Sequence, residues 1–297
     1  MKCDLCPRKC LVDRKKGEKG ICGQTENLKV ARAALHFWEE PCISGDAGSG
    51  AVFFSGCPLH CVFCQNENIA NGTVGKEISL ERLVDIFLEL QEKRANNINL
   101  VTPGHFVPQI VKALDQARKE GLTLPVVYNT SSYETVDTIK MLEGYVDIYL
   151  PDFKYMSLVL SKKYSHAPDY AEVAKAAIAE MVRQTGKAVF VNGDEDNLIL
   201  SGTIVRHLTL PGCMADSMQI LKYLHDTYGD MIYISIMNQF TPLSNLEKYP
   251  ELNRRITDEE YETLVDYAIE IGIENGFIQE GNTAEESFIP AFDCEGV

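Results

Sequence analysis

Three cysteines, Cys57, Cys61 and Cys64, stand in the run Ser55-Gly-Cys-Pro-Leu-His-Cys-Val-Phe-Cys-Gln-Asn66 at C-x3-C-x2-C spacing, directly after the apolar stretch Ala51–Phe54. Thiolates are soft ligands that suit zinc and iron–sulfur clusters. A 4Fe–4S cluster normally takes four cysteines, so a compact loop that supplies three, with no fourth nearby, predicts one iron open to an outside ligand. An open metal position is where chemistry takes place. The bland readings are zinc with a distant fourth ligand, or buried thiols. The tight loop straight after a strand, with aromatic Phe63 before the last cysteine, favours the cluster.

A second set, Cys3, Cys6, Cys10 and Cys22, gives C-x2-C-x3-C-x11-C, four soft ligands within 20 residues. That is enough for a closed zinc site or a second iron–sulfur cluster, and spacing does not separate the two. Lys, Arg and Gly fill the intervening positions, so this segment lacks a core of its own and metal would have to organise it. Cys42, Cys213 and Cys294 stand alone and read as buried thiols or spectators, Cys294 in a mobile tail.

These groups need a scaffold. From residue 51 onward, short β-branched runs alternate with helical periodicity, the pattern of parallel βα units. Candidate strands are Ala51–Phe54, Ile98–Thr102, Pro125–Asn129, Val146–Leu150, Thr203–Leu210 and Met231–Met237. Ser79 is placed to cap a helix carrying Leu80, Leu83, Val84, Phe87 and Leu88 on one face. Further amphipathic helices are expected over 108–120, 135–143, 169–185, Asp216–Tyr228 and Asp258–Ile271, the first three stopped by Gly121, Gly144 and Gly186. The stretch 187–202 reads as an inserted hairpin around Asn192-Gly193. Six such units with right-handed crossovers predict a partial (β/α)6 TIM-like barrel, α/β in class, with reactive groups at the C-terminal strand ends. The expected divisions are a Cys-rich metal-binding segment (1–27), a connector packed on the barrel (28–50), the barrel (51–280) and a C-terminal tail (281–297).

Composition narrows the function classes. The 297 residues carry 28 Lys and Arg against 43 Asp and Glu, a net charge of −15, which opposes binding to nucleic acid and to anionic membranes. No stretch has the length and apolarity of a membrane span, and the N-terminus lacks a signal-peptide core, so a cytoplasmic protein is expected. Ten cysteines in that compartment read as metal ligands and buried thiols rather than disulfides.

The Cys57, Cys61, Cys64 loop resembles the motif of the radical S-adenosylmethionine (SAM) superfamily. Together with Trp38-Glu-Glu-Pro-Cys-Ile-Ser-Gly45, Asn97-Ile-Asn-Leu-Val-Thr-Pro103, Asp147-Ile-Tyr-Leu-Pro-Asp-Phe-Lys154 and Arg206-His-Leu-Thr-Leu-Pro-Gly212, it is similar over nearly the whole chain to a poorly characterised branch of pyruvate formate-lyase activating-enzyme-like proteins. The resemblance implies that SAM chelates the open iron, and that the reduced cluster cleaves it to methionine and a hydrogen-abstracting 5′-deoxyadenosyl radical. Activation of a glycyl radical enzyme is the favoured outcome, modification of another peptide or a small molecule the alternative. A flavodoxin or ferredoxin is the implied electron donor. From another class, a non-catalytic iron–sulfur or zinc-binding adaptor would need fully ligated centres, yet the 57–64 loop offers three thiols.

Within that resemblance Phe63 flanks the adenine, and Asn129 and Arg206 help place SAM. Asp152 and Lys154, two apart in extended chain, share a face that lines the substrate side. Family members carry a Gly-Gly-Glu motif for the SAM amine where this chain reads Thr102-Pro-Gly-His-Phe106, so Gly104 is expected to allow close backbone approach and His105 becomes a catalytic candidate. In the run 204–210, Arg206 and His207 must face opposite sides. Asn238, Gln239 and Gln279 are candidates to reach adenine or a peptide backbone.

Overall fold

The computed structural model describes residues 2–194, 197–242, 246–279 and 290–297. Of the expected tail, residues 281–289 lie outside the described residues. The strands among them are β1 (Leu28–His36), β2 (Ser49–Phe54), β3 (Lys76–Ile78), β4 (Ile98–Val101), β5 (Val126–Thr130), β6 (Ile148–Pro151), β7 (Val189–Phe190), β8 (Ile199–Leu208), β9 (Tyr233–Met237) and β10 (Gly276–Ile278). The helices are α1 (Pro41–Ser44), α2 (Glu67–Ala70), α3 (Leu80–Glu92), α4 (Val107–Lys119), α5 (Val136–Lys140), α6 (Leu158–Ser165), α7 (Tyr170–Thr185), α8 (Met214–Tyr228) and α9 (Asp258–Glu270).

The sheet runs β10-β9-β8-β6-β5-β4-β2-β1-β3, with β7 on β8. From β2 to β10 every pairing on this path is parallel, the α/β arrangement with a mostly parallel sheet that the alternating pattern predicts. The central strands are buried along their whole length, as they must be when helices cover one face and the barrel interior the other. Ser79 caps α3 by accepting from the Arg82 amide. Leu83, Val84, Ile86, Phe87 and Leu90 of α3 join Ile110, Ala113 and Leu114 of α4 in one apolar cluster with β2, β4 and β5. No helix of the described residues is long and apolar enough to cross a membrane.

Three elements depart from the sequence expectation. Leu28–His36, expected within a connector, is a nine-residue strand antiparallel to β2. Its Ala-rich sequence lacks strand alternation, and Ala31, Ala33 and Ala34 are all buried. The hairpin over 187–202 forms only at its root: β7 pairs with the first residues of β8, which runs straight on into the barrel. Cys294 is not in a loose end, because residues 290–297 lie along β1: the Cys294 amide donates to Ala31 O and the Ala33 amide to Glu295 O.

The chain leaves β1 at an unusual place. His36 pairs with Ser49, the first residue of β2, so residues 37–44 emerge at the N-terminal end of the parallel strands. There Asn96 and Asn97 donate to the carbonyls of Ser44 and Ile43, and this segment closes the barrel from below.

Candidate functional site

A cavity of about 460 Å³ opens at the C-terminal strand ends. Each wall comes from a separate strand exit: the cysteine loop after β2, Thr102 after β4, Asn129 and Thr130 ending β5, Asp152 and Lys154 after β6, Arg206 in β8, Met237 and Gln239 at β9, and Ile278 and Gln279 at β10. Glu39 and Glu40 reach the same space from below.

The cysteine loop is held from three sides. Gly56 takes φ +92°, and a Cβ there would lie 2.5 Å from the Cys22 carbonyl, so only glycine admits the N-terminal segment so close. The Val62 amide donates to Tyr164 O. Phe63 is buried, packing edge-on against Tyr155, Tyr164 and Phe240 at centroid separations of 6.4, 6.5 and 5.9 Å; its ring also lines the cavity. Cys57, Cys61 and Cys64 all line it too. Burial raises all three thiols, Cys57 to about 11 and Cys64 to about 12, reinforced by neighbouring thiols at Cys57 and Cys64 and by Asp152 at Cys61, while the Lys154 charge pulls the other way.

The donor set fits a soft metal. Amide N–H groups approach the sulfurs of Cys57 (Leu59, 3.4 Å) and Cys64 (Asn66), and Ser165 Oγ lies 3.1 Å from Cys61 Sγ. Such donors favour thiolate over thiol and tune bound clusters. As the side chains stand, no three His, Cys, Asp or Glu among the described residues converge as a metal-holding group. Cys57, Cys61 and Cys64 nonetheless line the same cavity.

The same cavity is lined by a chain of buried charges. Lys154 Nζ donates to Asp152 Oδ2 at 2.6 Å, and Arg206 Nε to Asp152 Oδ1 at 3.0 Å. Arg206 Nη1 reaches Glu39 Oε2 at 3.0 Å, and Nη2 reaches Asn129 Oδ1 at 2.7 Å. Glu39 Oε1 accepts from both Asn99 and Asn129 at 3.1 Å. Burial works to raise Asp152, but the charges of Lys154 and Arg206 outweigh it and hold the carboxyl below its usual range. Burial likewise works to lower Lys154, and Asp152 reverses it. Each ion stays charged only because its neighbours do.

Asp152, Lys154, Asn129, Arg206 and Phe63 are thus gathered with the three cysteines around one cavity, and Gln239 and Gln279 also line it. Arg206 and His207 face opposite ways as strand alternation requires. His207 is buried outside the cavity, its Nδ1–H donating to Phe153 O and its Nε2 accepting from Ser217 Oγ, both at 2.8 Å.

His105 and Gly104 do not line the cavity. His105 is buried behind the cysteine loop with Nε2–H donating to Ser55 O, and burial drives its pKa down to about 3. At Gly104 a Cβ would meet Glu134 Oε1 at 2.8 Å, so the glycine serves Glu134, which accepts from Tyr128 and Thr130. The residue that does face the cavity at this strand end is Thr102, at φ +55°. A β-branched residue there is strained, and nothing in the sequence marks it.

Glu39 is the largest omission of the sequence reading. The sequence places the pair Glu39-Glu40 only within a connector packed on the barrel, and it is the path of the chain beneath the barrel that carries it inside.

The N-terminal cysteines lie against the cysteine loop. Arg8 donates to Pro58 O, Ser165 O and His166 O, and the His60 ring bonds Ile21 O at 2.7 Å. Within this segment the Ile21 amide donates to Cys10 Sγ at 3.3 Å, and amides of Arg8 and Gln24 approach the sulfurs of Cys6 and Cys22. Burial raises Cys6 to about 12, with Cys22, Cys10 and Cys3 adding repulsion. Gly20 brings two of them close to one backbone position, where a Cβ would lie 3.4 Å from Cys10 Sγ and 3.7 Å from Cys22 Sγ.

Residues 51–197 match the family model described as the Radical SAM superfamily. An uncharacterized protein of Methanocaldococcus jannaschii is 27% identical over 275 residues, which cover 90% of this chain and 74% of that protein. Among solved structures the fold is similar to SuiB of Streptococcus suis bound to S-adenosylmethionine (TM-score 0.52, 12% identity, 76% of this chain and 49% of that one). SuiB has also been solved with its precursor peptide SuiA (TM-score 0.51, 12% identity, 76% of this chain and 47% of that one). Spore photoproduct lyase with bound AdoMet and dinucleoside spore photoproduct is another (TM-score 0.50, 14% identity, 76% and 74% covered). This chain spans about half the length of SuiB, and at such identities the likeness is one of fold.

Proposed function

We propose that this protein is a radical SAM enzyme whose cavity holds a 4Fe–4S cluster and S-adenosylmethionine and abstracts hydrogen from a protein or peptide. One observation carries the reading: three thiols from a loop with no fourth cysteine line one cavity together with a buried Lys154–Asp152–Arg206–Glu39 chain able to orient a zwitterionic ligand. The bound cluster would supply an electron to the sulfonium of SAM, releasing methionine and a 5′-deoxyadenosyl radical.

Cys57, Cys61 and Cys64 hold the cluster in this reading, and the Lys154 charge lowers the cost of three adjacent thiolates. Arg206 and Asn129 place SAM, with Phe63 walling the adenine side. Asp152 fixes both cations, so Lys154 presents its charge at a defined point on the substrate side. Tyr155, Tyr164 and Phe240 keep that wall apolar and exclude water from the loop. His105 supports the loop through Ser55 and has no part in the chemistry.

Activation of a glycyl radical enzyme, with a flavodoxin or ferredoxin as donor, is the outcome we favour. The tetrad Cys3, Cys6, Cys10 and Cys22 binds zinc or a second cluster and braces the loop through Gly56. Anaerobic reconstitution with iron, sulfide, dithionite and SAM tests the core reading: 5′-deoxyadenosine is expected from the wild type. No excess over a Cys57→Ala/Cys61→Ala/Cys64→Ala control would refute it.

A further inference from the structure

The cavity floor contains a carboxyl whose hydrogen bonding is incomplete. Glu40 precedes α1 but makes no side-chain cap to it, and it lines the cavity at only 8% exposure. Its Oε2 has no partner, while Ser235 of β9 lies within hydrogen-bonding reach of the carboxyl. A native protein rarely leaves such a group orphaned, because desolvating an acceptor without a donor is costly.

The surrounding charges leave a specific gap. Arg206 commits Nε to Asp152, Nη1 to Glu39 and Nη2 to Asn129, and Lys154 commits its ammonium to Asp152. Two cations therefore serve three carboxyl groups, and Glu40 is the one without a cation of its own. Burial, then the adjacent Glu39, push it toward the neutral form against the pull of Arg206. An arriving positive group would restore the balance that the protein itself leaves open.

The approach to Glu40 suits a cation with an apolar stem. Phe53 and Phe277 line the cavity, as do Phe37 and Trp38, which are 48% and 61% exposed. Aromatic faces attract ammonium and guanidinium groups, and the net charge of −15 steers them inward.

We propose that Glu40 receives a cationic nitrogen, an ammonium or guanidinium, carried by the molecule that enters the cavity. This rests on reading the cavity as the reaction site. The nitrogen belongs either to the amino group of SAM, for which this chain lacks the expected Gly-Gly-Glu motif, or to a Lys or Arg side chain of a peptide substrate.

Trp38 is the only tryptophan in the chain and lines the cavity, so its fluorescence reports on occupancy. Cluster-reconstituted protein is titrated under argon with SAM, with Nα-acetylarginine amide, and with its neutral isostere Nα-acetylcitrulline amide, following Trp38 fluorescence. Glu40→Gln keeps shape and an acceptor but removes the charge, and is expected to weaken SAM or the arginine probe about tenfold or more while leaving the citrulline probe unchanged. Loss of SAM affinity identifies the SAM amine; loss of the arginine probe alone identifies a substrate cation. Unchanged affinity for both, or failure of the wild type to bind either, overturns the proposal. A wild type that binds the arginine probe but not SAM refutes the radical reading instead. Should Glu40→Gln not fold, Glu40→Asp, which withdraws the carboxylate by one methylene, must weaken the same probe.

Discussion

Glu39 and Arg206 are 167 residues apart in sequence and 3.0 Å apart in the cavity. The contact joins the segment beneath the barrel to a strand at its centre, so the cavity floor and its far wall are one electrostatic unit. Removing one member of a buried pair strands the others: Arg206→Leu leaves Asp152 and Glu39 short of a cation and is expected to cost about 3–5 kcal/mol. Urea unfolding measures this, and a loss under about 1 kcal/mol, the range of exposed pairs, would show the network to be solvated.

Gly56 predicts a link between the two cysteine sets. Gly56→Ala must move the Cys22 carbonyl or the loop, because the new methyl would sit 2.5 Å from it at a φ of +92°. Iron retained by the 57–64 site should fall, even though no ligand has changed. Full iron loading with unchanged melting temperature would mean that the N-terminal segment is not braced there.

Metal analysis separates the roles of the tetrad. Cys3→Ala/Cys6→Ala is expected to lose zinc if the centre is zinc, with iron retained, or about half of the iron if it is a second cluster of equal size. An unchanged metal content in this variant would rule out a tetrad centre of either kind.

Acid should destabilise the fold before it protonates ordinary carboxylates. Burial lowers His105 to about 3 and His36 and His207 to about 4, against 6.5 unfolded. The fold therefore holds the neutral rings, and stability is complete above pH 6.5 and declines as pH falls toward those folded values. Each group contributes at most roughly 1.4 kcal/mol per pH unit. Glu134, raised by burial to about 6 from 4.5, works in the opposite sense between those values, as do Glu40, Asp147 and Asp216, which burial also raises. Melting temperature should drop from pH 7 to pH 5, with a shallower slope in His105→Gln, whose amide can still donate to Ser55 O. An equal slope in both proteins would exclude His105 as a source.

Much of this architecture was legible because it rests on short-range pattern. Strands β2, β4, β5, β6, β8 and β9 fall where β-branched runs predict, and the pairing of Asp152 with Lys154 follows from two-residue alternation. The inward turn of Arg206 needed only one further fact, which of two faces is the interior. What stayed hidden depends on long-range path. Glu39 and Glu40 become site residues because β1 runs antiparallel and delivers them under the barrel, and β1 itself is masked by alanines that no strand propensity favours. His105 misleads for a related reason: position after a strand suggests exposure at the mouth, but Thr102 takes the left-handed turn and carries the following residues behind the loop.

The strap over β1 sets an order of events. The outer edge of β1 is completed by residues 293–295, with Arg32 paired to Asp293 some 261 positions downstream. During synthesis that edge emerges early and waits for nearly the whole polypeptide before its last hydrogen-bonding neighbour exists, a long interval in which an unpaired strand can recruit another nascent chain.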